Sequence, residues 1–198
     1  MRNSAFGEAT LSFIDKILFG FRLKKILKVV DLNNKIVADT GTWYNAMVLK
    51  YIQEHFKTKD LIALDIKLNK EYLSKIWITS IECDLNQGVK IPFKADVIIW
   101  TAILEHLASP EVYVKSIYDS LKEWWIFIMT VPSTLAKPIL EIGAKVWIFD
   151  KIEIADHKKY YKKSSLIKLL TISWFKKQNI RHRYFQCFIN NFVYAVKK

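Results

Sequence analysis

The chain is short of glycine. It has 5 in 198 residues, where average usage of ~7% would give about 14. Glycine is the cheapest residue in left-handed backbone, so the turns of this chain must be built largely from other residues. Cysteine is scarcer still. Cys83 and Cys187 are far apart and form no CxxC pair, which excludes a disulfide scaffold and fits free buried thiols in a reducing compartment. The histidines, His55, His106, His157 and His182, are scattered, so the expectation is that no metal is bound. No stretch approaches the ~20 apolar residues of a spanning helix. The apolar stretch from Trp124 to Ala136 reads instead as a buried strand and a loop. The first residues lack a basic start, an apolar run and a small-residue cleavage site. The expected location is therefore cytoplasmic.

What is present is apolar, aromatic and basic. An apolar fraction of 52% and an aromatic fraction of 14% exclude disorder. A chain of 198 residues suits one domain with a sizeable core. The formal net charge of +12 would draw the chain toward polyanions or an anionic membrane surface. The lysines are spread over the whole chain, however, as in a background that keeps a protein soluble. Tryptophan, usually among the rarest residues, occurs seven times.

Residues 1–34 alternate apolar and basic positions. Phe13, Ile17, Leu18, Phe21, Ile26, Val29 and Val30 are interleaved with Lys16, Arg22, Lys24, Lys25 and Lys28. The pattern predicts an N-terminal amphipathic helical segment. Such a segment covers one face of a domain, helps form a substrate lid, or makes peripheral contact with a membrane. The stretch Lys35-Ile-Val-Ala-Asp-Thr-Gly-Thr-Trp-Tyr-Asn-Ala46 then organises residues 35–198. Ile36 to Ala38 predict a buried strand, Thr40 to Asn45 a tight turn, and Ala46 to Phe56 a helix with Met47, Val48, Tyr51 and Ile52 on one face. Strand, turn and helix together present backbone N–H groups to a ligand. Leu61 to Leu64, ending in Asp65, predict a second strand. Ile78 to Cys83 predict a third and Ala95 to Ile99 a fourth. Pro110 is placed to open a helix. Lys177 to Phe185 and Phe188 to Val196 predict a closing hairpin.

The turn resembles motif I of the class I S-adenosylmethionine (SAM)-dependent methyltransferases, in the form Asp-x-Gly-x-Gly-Tyr-Asn. Asp39, Gly41, Tyr44 and Asn45 match, and Trp43 stands where the family has glycine. The resemblance covers roughly residues 25 to 196. Asp65 corresponds to the family's ribose-binding acid, Asp84-Leu85-Asn86 to its adenine-binding segment, and Glu105-His106-Leu107 to its "EHL" signature. Lys122 to Pro132 resembles "LKPGGxLxxxxP", with Trp124 and Trp125 in place of the two glycines. Asp156 to Tyr161 resembles "HxxYF". Trp174-Phe175 falls where relatives have Gly-Phe.

The resemblance implies a single doubly wound, Rossmann-like α/β domain with a seven-stranded, mostly parallel sheet. Strand order would be 3-2-1-4-5-7-6, with the last strand antiparallel. The implied function is methyl transfer from SAM to a small-molecule or glycan-type acceptor. Asp39, Gly41 and position 43 would hold the methionine end, Asp65 the ribose, and Asp84 and Leu85 the adenine. Thr101 would line the transfer site, and His106 and His157 are candidate bases. Because the sulfonium already activates the methyl, alignment of donor and acceptor supplies much of the rate.

Trp43, Trp124, Trp125 and Trp174 all fall on family glycines. Trp77, Trp100 and Trp147 fall at turns or strand ends. A gene that uses UGA for glycine, translated with UGA as tryptophan, would give this pattern together with the glycine deficit. Genuine tryptophans would instead imply a catalytically inactive methyltransferase-fold binding protein. A nucleic-acid methyltransferase would fit the charge, but the chain has no Asn-Pro-Pro-Tyr-like motif. A nicotinamide oxidoreductase shares the Gly turn and the strand-two acid, yet has no use for Asp84 or for Glu105-His106-Leu107.

Overall fold

The computed structural model describes residues 13–136, 159–186 and 188–198. His157, Trp147, Cys187 and most of the segment expected to close over a substrate lie outside these residues.

Continuous apolar runs become central strands, because a parallel strand is buried on both faces. β1 (Ile36–Thr40) is buried at every position. β2 (Asp60–Asp65) is buried through its middle, and β4 (Ala95–Thr101) along all but its last residue. β3 (Thr79–Glu82) and β6 (Ile180–Phe185) are more exposed, as befits the two edges. With β5 (Leu121–Pro132) and β7 (Asn190–Val196) they form one seven-stranded sheet in the order β3-β2-β1-β4-β5-β7-β6. β1 pairs parallel with β2 and β4, and β5 joins β4 in parallel. β7 alone runs antiparallel, between β5 and β6. This is the sheet the sequence resemblance implies.

Helices cover both faces. Alternate residues along each strand point to opposite sides, so the core splits in two. Val37, Val97, Ile99 and Ile128 pack with Leu23 and Ile26 of α1 (Phe13–Ile26), with Val48, Leu49 and Ile52 of α2 (Met47–His55), and with Leu73 of α3 (Lys70–Lys75). Ala38, Ile98, Trp100 and Phe127 pack on the other side. There they meet Tyr113, Val114 and Ile117 of α4 (Pro110–Ser120), and Leu166 and Leu170 of α5 (Lys163–Ile172). Pro110 is the first residue of α4, where its missing N–H costs nothing.

Two local expectations change. Trp124 and Trp125 stand where the resembled pattern implies a Gly-Gly turn between helix and strand, and they do not sit in one. β5 starts at Leu121, directly after α4, and the two tryptophans form a bulge within it. Register passes from Ala95↔Leu121 to Val97↔Ile126, leaving Asp96 opposite Lys122–Trp125. Trp100 lies at the end of β4, as expected, and is fully buried, with its ring 4.7 Å from Tyr113 and 5.7 Å from Phe127. Lys177–Asn179 is a 3-10 turn and not the start of a strand. Among the described residues no helix is long and apolar enough to cross a membrane.

Candidate functional site

The strand order reverses between β1 and β4, so the crevice at their carboxyl ends is where an open α/β sheet can admit a ligand. Thr40 pairs with Trp100 and Leu64. Gly41, Asp65 and Thr101 therefore leave the sheet side by side.

Asp39 is fully buried at the end of β1. Its Oδ2 accepts a hydrogen bond from Thr42 Oγ1 at 2.6 Å, while Oδ1 has no partner. Burial pushes its carboxyl up to about 7, against the lowering effect of Thr42, and the nearby Asp65 carboxylate pushes the same way as burial. A carboxylate left half-satisfied in the interior is costly, unless a donor arrives from outside the chain. Thr42 is a participant that the sequence pattern did not single out.

The turn itself is tightly held. Gly41 has φ +67 and donates to Leu64 O at 2.7 Å. A Cβ there would come within 2.1 Å of Ile103 Cδ1, so a side chain at 41 meets both a strained backbone and an isoleucine that must shift. Trp43, φ 66, donates its amide to Asp65 Oδ2 at 2.9 Å. Asp65 Oδ1 accepts from the Ile66 amide at 2.7 Å. Burial raises the Asp65 carboxyl and these two amides oppose the rise. Asn69, just before α3, accepts nothing from the turn but donates twice to it, from its amide to Tyr44 O at 2.9 Å and from Nδ2 to Asn45 Oδ1 at 3.0 Å. α2 then begins at Met47, after Ala46, whose side chain caps nothing.

The other expected residues lie further out. Asp84 is exposed and caps the 3-10 turn Leu85–Gln87, its Oδ1 accepting from the Asn86 amide at 2.9 Å. Leu85 is buried beneath it. Cys83 is half-buried, and burial pushes its thiol up to about 11, leaving it inert as a nucleophile at neutral pH. His106 ends the 3-10 turn Leu104–His106 after β4, beside the fully buried Glu105. It does not line the cavity beside the Gly41 turn.

That cavity is bounded by Phe19, Arg22, Leu23 and Ile26 of α1, by Gly41, Trp43, Met47 and Val48, and by Thr101. Its volume is ≈ 20 Å³, room for about one water. Asp39 and Asp65 do not line it, although the unpartnered Asp39 Oδ1 suits an amine and an acid at the end of β2 suits a nucleoside. A space of this volume, with Trp43 in its wall, holds neither.

No family model matches the chain, and no curated protein matches it in sequence. Solved structures do match in fold. A SAM-dependent methyltransferase from Thermotoga maritima superposes with a TM-score of 0.62 at 11% identity, covering 94% of this chain and 96% of its own. The YcgJ protein of Bacillus subtilis gives 0.65 at 10% identity, over 90% and 99% of the two chains. Phosphoethanolamine N-methyltransferase 2 of Haemonchus contortus, in complex with SAM, gives 0.68 at 13% identity, over 89% of this chain and 52% of that one. The chain has the fold of the class I SAM-dependent methyltransferases. It spans nearly the full length of the Thermotoga and Bacillus chains and about half of the Haemonchus chain.

Proposed function

We propose that this chain transfers a methyl group from SAM to a small-molecule or glycan-type acceptor. The observation that carries the reading is the gathering of Asp39, Gly41, Asp65 and Thr101 at the carboxyl ends of β1, β2 and β4, where the strand order reverses. In this reading Asp39, with its unpartnered Oδ1, receives the cofactor's ammonium, and Gly41 and position 43 present the turn's backbone to the methionine end. Asp65 takes the ribose, Asp84 and Leu85 flank the adenine, and Thr101 lines the path of the methyl. The bound cofactor would supply a methyl already activated by the sulfonium charge, leaving the chain to orient donor and acceptor. A base helps when the acceptor is a hydroxyl or a protonated amine. His106 and His157 are the candidates by sequence. The fold supports SAM as the cofactor because neighbours of this fold are SAM-bound.

The test is calorimetric titration of SAM into the Trp43→Gly chain, with and without Asp65→Ala. Expected is saturable binding that weakens by roughly tenfold or more when Asp65 is lost, the scale of hydrogen bonds to a charged acceptor. A Trp43→Gly chain that is folded and takes up no SAM overturns the reading.

A further inference from the structure

Four tryptophans hold backbone that a tryptophan should avoid. Trp43, Trp77, Trp124 and Trp174 have φ of 66, 59, 70 and 82. A few per cent of non-glycine residues lie there, and a bulky side chain in that region is an outlier. Of the described tryptophans, only Trp100 and Trp125 escape it.

Two of the four occupy the same structural position. After α3, Trp77 donates to Ser74 O and Ile78 donates to Leu73 O. After α5, Trp174 donates to Thr171 O and Phe175 donates to Leu170 O. Each is a Schellman helix end, with hydrogen bonds 5→2 and 6→1 and a left-handed residue at C′, the place where glycine is most enriched. The side chains offer little burial in return: Trp77 is 84% exposed and Trp174 65%. Trp124 is 70% exposed in the β5 bulge, donating its amide to Lys197 O at 2.6 Å. At Trp43 the amide is committed to Asp65, and the residue lines the ≈ 20 Å³ cavity. In all four places the residue's backbone N–H donates a hydrogen bond; the rings of Trp174 and Trp124 carry lysines at their surface, Lys115 and Lys198.

We propose that positions 43, 77, 124 and 174 are glycine in the protein as its own cell makes it, encoded by UGA read as glycine, and that glycine at 43 opens the cavity beside Gly41 to the methionine end of a SAM molecule. The second half of the inference rests on the proposed function. The first half does not.

The gene and the natural protein decide the first half. UGA at the four codons, with glycine in the corresponding peptides of the protein isolated from its native cell, is expected; UGG codons, or tryptophan in those peptides, overturn it. The backbone argument is checked separately on the recombinant chain. Trp77→Gly and Trp174→Gly, far from the cavity, are each expected to raise the thermal midpoint by about 2–4 °C. A fall in both would show that the backbone tolerates tryptophan and would overturn it. SAM titration then separates the two readings. Binding by Trp43→Gly but not by the chain as written supports the cavity argument, and equal binding by both overturns it. Glycine codons and raised midpoints without SAM binding would leave the glycine assignment standing and defeat the methyltransferase reading instead.

Discussion

Asp39 shows how much of the site's energetics sits in single side chains. Its carboxyl is raised from 3.8 to about 7 in the folded chain, so the native state holds a proton that the unfolded chain releases above pH ~4. The contribution to stability is therefore greatest below pH ~4 and is lost as pH rises toward 7. Asp39→Asn should remove this dependence. Its thermal midpoint relative to the parent is expected to climb steadily between pH 4 and 8, and a difference that stays flat would show that Asp39 is ionised throughout. Gly41 makes a second case. Gly41→Ala places a methyl against Ile103 at a positive φ and is expected to cost about 1–3 kcal/mol. In the Gly41→Ala/Ile103→Ala pair the clash is gone and the backbone penalty stays. Chemical denaturation of the two single variants and the double should show partial relief.

At the level of elements, the start of β1 depends on its neighbour. Asp96, buried in β4, accepts from the Ile36 amide at 2.8 Å through Oδ2 and from Lys122 Nζ at 2.8 Å through Oδ1. One carboxylate thus ties β1 and the β5 bulge to β4. Asp96→Ala strands a strand-end amide and a lysine, an expected loss of about 2–3 kcal/mol. Asp96→Asn keeps an acceptor for Ile36 and should lose less, which urea denaturation of both variants can rank. Lys197 makes a comparable tie at the other end of the bulge. It is 5% exposed, and its Nζ donates to Tyr118 O and Leu121 O at the end of α4, where a cation also suits the helix dipole.

For the whole molecule, the segment before β1 matters most. Leu23, Ile26 and Leu32 are buried in the core on the α2 side of the sheet, and α1 walls the cavity beside the Gly41 turn. Deleting residues 1–31 is expected to lower the thermal midpoint by well over 5 °C, since the fully buried Ile26 and the almost fully buried Leu23 go with it. A midpoint unchanged by the deletion would show that α1 is an appendage. The charge of +12 should act diffusely. RNA retention on a filter is expected at low salt and to disappear by about 0.15 M, and salt-resistant binding would revive a nucleic-acid substrate.

Much of this was legible in the sequence because it rests on local rules. Runs such as Ile36–Ala38 and Val97–Ile99 can only be central strands once both faces are buried. Asp39 and Asp65 mark strand ends because a charge ends a buried strand, and Pro110 starts a helix because it lacks an N–H. Strand order and the antiparallel β7 followed from the likeness to a known family. The tertiary structure decided what depends on neighbours distant in the chain. Only the assembled strands show that Thr42 leaves Asp39 Oδ1 unsatisfied and that Ile103 crowds a side chain at 41. The Trp124 bulge needed the pairing of β4 with β5, since the count Leu121 to Ile126 against Ala95 to Val97 is invisible in either strand alone. The excess of tryptophan and the shortage of glycine were legible in the composition. Only the backbone showed that Trp43, Trp77, Trp124 and Trp174 hold positive φ, because that conformation is fixed by helix ends and strand pairings that the composition does not contain.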